Sequence, residues 1–132
     1  MWHPKMVEFD DQMKQLFDEV DDFIEDLYGS LYSLHPVRPA RGETGNPEAD
    51  GLFSIGAVFT PGFGSELGRG YLIDVVMSTL EKVDEDIRRK IYEATADKVK
   101  ELLPRYFPER CLTVRQDGNH FKIQGDFALG KI

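Results

Sequence analysis

The sequence predicts an α+β domain of two layers, with two helices on one face of a four-stranded antiparallel sheet, in the order α-β-β-α-β-β. Three observations predict it. Two segments carry apolar residues at steps of three and four, the period of a half-buried helix. Four shorter segments alternate apolar and polar residues, the period of a strand with one covered face. The strands come in consecutive pairs, and each pair folds into a hairpin with apolar residues on a common face. Residues 1–132 are read as a single domain, a usual size for one core.

The first helix covers residues 4 to about 28. Met6, Phe9, Met13, Leu16, Val20, Phe23 and Leu27 form its stripe, widened by Phe17, Ile24 and Leu31. Pro4 suits the first turn and Gly29 the stop. At ~1.5 Å per residue the helix is ~38 Å long, about the full width of such a domain. It therefore spans the domain, or overhangs it to meet a second subunit. The remaining positions are mostly acidic and read as a solvated face.

Residues 35–51 contain three prolines and three glycines and form an irregular loop. Within it Asn46-Pro47-Glu48 caps a single helical turn. Two strands follow. Phe53, Ile55, Ala57 and Phe59 alternate, as do Tyr71, Ile73, Val75 and Met77. Pairing 59 with 71, 57 with 73 and 55 with 75 puts every one of them on one face.

Asp84 is the expected N-cap of the second helix, with Glu85 and Asp86 at its positive end. Ile87, Ile91, Thr95, Val99 and Leu103 make its buried ridge. Glu85 with Arg89 and Asp86 with Lys90 are spaced as ion pairs, and Pro104 and Pro108 mark the end. The last hairpin is expected to turn at Asp117-Gly118, pairing Gln116 with Asn119, Val114 with Phe121, Leu112 with Ile123 and Cys111 with Gln124. Cys111 then packs at the start of a strand. Asp74, mid-strand among apolar neighbours, calls for a partner such as Arg115 or Lys122 across the sheet.

Net charge is −8, all of it between Glu8 and Asp26, where nine acids face one base, Lys14. The rest of the chain balances at 15 acidic and 15 basic residues, and phosphate backbones need clustered, unpaired bases, so nucleic acid is an unexpected partner. No apolar run approaches the ~20 residues of a membrane span. The lone cysteine fits a reducing compartment, and the amino-terminal residues resemble neither a secretory signal nor a transit peptide, so the expected location is cytoplasmic.

Chemistry is sparse. His3, His35 and His120 are not at ligand spacing, so no metal or cofactor is expected. Cys111 and His120 lie ~13 Å apart along the strands in the expected register, too far for a thiolate–imidazole pair. The stretch from Thr60 to Gly70 holds four glycines before Gly70 or at it, around Ser65, Glu66 and Arg69. It matches neither the dinucleotide nor the phosphate-loop pattern, and joins strand to strand. His35, Arg38 and Arg41 offer a second cluster, suited to a carboxylate or phosphate unless the arginines pair with the acidic helix. The outer face of the first hairpin, with Val58, Leu72 and Val76, is half apolar.

Two functions stand ahead of a third, an adaptor whose acidic first-helix face docks a basic partner. The leading one is a non-catalytic binding or assembly module, a homodimer through the first helix or the outer face of the first hairpin. The alternative is an enzyme or sensor for a small anionic ligand held by loops 35–51 and 60–70, through His35, Arg38, Arg41, Ser65, Glu66 and Arg69.

Overall fold

The amphipathic stripe of the first segment becomes α1 (Pro4–Tyr28) in a computed structural model that describes residues 4–61 and 70–125, with side chains from residue 8 onward. A 3-10 turn (Pro47–Ala49) precedes β1 (Phe53–Thr60) and β2 (Gly70–Met77). Then come α2 (Glu85–Tyr106), β3 (Thr113–Asp117) and β4 (His120–Gln124). The expected caps are present: Asn46 accepts from the Glu48 N–H, and Asp84 from the Asp86 N–H. α2 runs through Pro104 and ends at Phe107, whose N–H reaches the Leu103 carbonyl. A proline in the last turn removes one bond where the ladder is already ending, so Pro104 does not stop the helix.

The sheet is antiparallel in the order β1-β2-β4-β3, so the hairpins meet through their second strands. β1 and β2 pair as expected, with 59 opposite 71, 57 opposite 73 and 55 opposite 75. Leu16, Val20 and Ile24 of α1, Ile91, Val99 and Leu102 of α2, and Phe53, Ile55, Ile73 and Ile123 of the sheet are all buried. Each such side chain contributes roughly 1.5–3 kcal/mol by leaving water. α1 and α2 lie against each other on this face, joined at their rims by Tyr106 Oη donating to Glu19 at 2.7 Å and Gln12 Nε2 to the Tyr106 carbonyl at 3.3 Å.

The second hairpin differs from expectation by two residues. Asp117 pairs with His120, Val114 with Ile123 and Thr113 with Gln124, so the turn is Gly118-Asn119. Gly118 has φ +62 and no described non-glycine residue has positive φ, the pattern of a turn with glycine at its first central position. A shift of two keeps every side chain on its face, so alternation alone could not choose. The observed register sets Asp117 beside Lys122, whose ammonium lies 2.9 Å away and whose side chain is buried rather than part of a solvated face. Cys111 falls outside the strand and is exposed, not packed.

The acidic face of α1 is not wholly solvated either. Asp21 and Glu25 are buried against the outer edge of β1. Phe53 N–H donates to Glu25 Oε1 at 2.7 Å, and Ile55 N–H to Asp21 Oδ2 at 3.2 Å. These are edge groups that a neighbouring strand would otherwise take. Burial, reinforced by Glu25, Asp22 and Asp18 and opposed by the Ile55 N–H, pushes the Asp21 carboxyl up to about 8. Burial likewise raises Glu25, against the hydrogen bond from Phe53.

Candidate ligand groove

The six residues singled out in the two irregular loops are not gathered into one described site. Ser65, Glu66 and Arg69 lie outside the described residues. Arg38 is turned inward: Nε donates to the Gly51 carbonyl at 3.0 Å, and Nη2 to the carbonyls of Glu48, Asp50 and Phe53 at 2.8–3.2 Å. It staples loop 35–51 to the edge of β1. Arg41 points to α1, 2.7 Å from Asp26 Oδ1 and 3.6 Å from Asp22. His35 accepts from the Val37 N–H at Nδ1, while its own N–H meets the Ser78 carbonyl. Buried Asp50 accepts from the Thr44 hydroxyl and N–H at 2.7 and 3.1 Å. Burial opposes its charge, but these donors together with the Gly42 N–H hold it below the ordinary carboxylate range.

A different concavity opens where the hairpins part. β2 and β4 pair only at Tyr71–Ile123 and Leu72–Lys122. The next pair in this register is Ile73 with Phe121, and there a helix side chain intervenes. Phe121 N–H donates to Tyr92 Oη at 2.8 Å, and Tyr92 Oη donates to the Ile73 carbonyl at 2.8 Å. One hydroxyl thus replaces a direct strand-to-strand bond and holds the strands apart. Burial keeps the phenol above its ordinary range, with Asp74 acting in the same direction and the Phe121 N–H against it, so the hydroxyl stays protonated and able to donate. Its ring meets Phe121 edge-on, centroids 5.0 Å apart.

Beyond Tyr92 the gap widens into a groove of about 760 Å³ between β2, α2 as far as Lys100 and the turn of the second hairpin. Its β2 wall runs from Ile73 to Met77, its helix wall includes Arg88, Arg89 and Tyr92, and its far end is Gln116, Asn119 and His120. On β1 the Phe53 and Ile55 amides face α1, so by alternation Val75 and Met77, paired opposite them, turn their N–H and C=O toward the groove. Among the described residues nothing meets those groups on that side.

Charge in the groove is mixed. Asp74, Glu85, Glu93 and Asp97 line it with Arg88, Arg89 and Lys100, and Lys100 lies 3.9 Å from Asp97. The expected Glu85–Arg89 and Asp86–Lys90 pairs do not form, because an exposed pair gains only a few tenths of a kcal/mol. Arg88 and Arg89 therefore have no ion-pair partner among the described residues. Asp74 is exposed and unpaired as well, since Lys122 is engaged by Asp117 and β4 has diverged. Two features of the sequence bear on the groove: the Arg88-Arg89-Lys90 run, and Tyr92 set one place off the apolar ridge. Neither shows that β2 outruns β4.

Tyr92→Phe should destabilise the protein by about 1–3 kcal/mol, by leaving two half-buried backbone groups unsatisfied. Urea unfolding tests this, and an unchanged midpoint would show that the bridge contributes nothing.

A family model described as "Uncharacterised protein" matches residues 4–125, from the start of α1 to just past β4. The chain is also 40% identical over 123 residues to an uncharacterized protein of Borreliella burgdorferi, covering 93% of this chain and 96% of that relative. No solved structure matches it at a significant level. No described helix is long and apolar enough to cross a membrane. The chain belongs to this family of uncharacterised proteins, and the match takes in both helices, all four strands and the groove between them.

Proposed function

We propose that this protein is a non-catalytic binding module whose binding site is the groove between β2 and α2. One observation carries the reading: a strand edge with unfilled hydrogen-bonding groups faces two guanidinium groups that have no ion-pair partner among the described residues. Such edges are normally covered, and the same molecule covers the start of β1 with Asp21, Glu25 and Arg38. The groove chemistry favours holding over reacting, since its best-placed hydroxyl, Tyr92, is engaged in bridging the strands. An exposed free thiol at Cys111 fits a cytoplasmic setting.

Panning a displayed random-heptapeptide library against the intact protein should enrich ligands that shift the amide resonances of Val75, Met77, Tyr92 and Phe121. Enriched peptides that leave those resonances unmoved would place the site elsewhere. A library from which nothing is enriched would remove the reading.

A further inference from the structure

Resting on the groove as the binding site, we infer that its ligand is an extended acidic polypeptide segment that joins β2 as an added antiparallel strand. The backbone requirement comes first. Val75 and Met77 each present one N–H and one C=O to the groove, and alternate residues of a strand stand ~6.6–7 Å apart. An extended peptide supplies matching donors and acceptors at that repeat, as in other cases of strand addition. The antiparallel sense continues the ladder that β4 begins at Tyr71 and Leu72. The hydroxyl of Tyr92 closes the groove at the Ile73 end, so the added strand lies along Val75 to Met77.

The side-chain requirement follows from the helix wall. Arg88 and Arg89 precede Tyr92 by about one turn, toward the end of the groove at Met77. Their planar donors suit a carboxylate. Glu85 also lies at that end, while Asp74, Glu93 and Asp97 line the groove and disfavour acids spread along its whole length. The ligand's carboxylate therefore belongs beside Arg88 and Arg89, with uncharged positions alongside Ile73 and Tyr92.

Three fluorescein-labelled pentapeptides test this by anisotropy against the intact protein: Val-Glu-Val-Val-Val and its Gln and Lys counterparts. The Glu peptide should bind most tightly, with roughly tenfold weaker binding for Lys and a reversed order in Arg88→Glu. Val75→Pro removes a groove donor without touching a bond to β1, and should abolish binding of all three. Alternate N-methylation of the Glu peptide provides the same test on the wild-type protein, independent of how the variant folds. Binding that survives both backbone changes, yet is lost in Arg88→Glu, would overturn strand addition and leave the groove as the site. Equal binding of the Glu and Lys peptides would overturn the acidic requirement, and no binding by any peptide would overturn the proposal. A concentration-dependent dimer in sedimentation, dissolved by Val75→Pro, would assign the edge to a second copy of the chain instead.

Discussion

Replacing Gly51 by alanine is expected to cost about 3 kcal/mol or more, enough to lower the melting temperature by roughly 10 °C in a domain of this size. Two effects add. Gly51 has φ +71, a region where a Cβ costs on the order of 1 kcal/mol. That Cβ would also run into the Glu25 carboxylate, against Oε1 and 2.8 Å from Cδ. The other oxygen of the same carboxylate lies close against Gly29, where an added Cβ would strike it. Moving it would break the bond from the Phe53 N–H, a charge-assisted bond in a buried place, costing a further ~1.5–3 kcal/mol. In a Glu25→Ala background the steric part has nothing to act on. Gly51→Ala should there cost only the backbone part, so the double mutant is less destabilised than the sum of the singles. Additive effects in urea unfolding would refute the clash.

The second large effect is on pH dependence. Asp21 binds its proton up to about 8 in the folded protein, against the ordinary 3.8 when unfolded. Between those limits the folded state holds more protons than the unfolded one. Stability must therefore fall as pH rises, with a ceiling of about 1.4 kcal/mol per pH unit from one group. Glu25, also raised by burial, acts in the same direction. Asp50 acts oppositely, but its lowered value confines its effect to acid below the ordinary carboxylate range. The protein should thus be more stable at pH 5 than at pH 8, by on the order of 3 kcal/mol. Asp21→Asn, which mimics the protonated acid, should flatten most of that slope. Chemical unfolding across this range decides the matter: stability rising toward pH 8, or an equal slope in the variant, would contradict the assignment.

Much of the fold was legible because period and turn chemistry agree over long segments. α1 announces itself through Phe9, Met13, Leu16, Val20 and Ile24, and β1 and β2 through odd-numbered apolar residues on both strands. The register of β3 and β4 was not, because Val114 faces the same way whether Phe121 or Ile123 stands opposite. Burial of Asp21 and Glu25 was partly legible. They sit four apart beside Val20 and Ile24, but an acid flanking an apolar stripe is ordinary until a strand edge is found beneath it. Arg38 illustrates the same limit: a loop arginine suits an anion equally well as the carbonyls it meets here. The groove was the least accessible feature. It depends on β2 having eight residues and β4 five, and on the two becoming neighbours. Strand order is a long-range property that local periodicity does not encode.

The Tyr92 bridge bears on how the molecule assembles. Each hairpin can close from its own neighbouring residues, but the seam between them has two residue pairs and a phenol that arrives on α2. The seam is therefore completed at Ile73 and Phe121 only once the helix has docked. Protection of the Phe121 amide against hydrogen exchange reports that docking event rather than strand pairing, and the two hairpins behave as separate opening units joined through a helix.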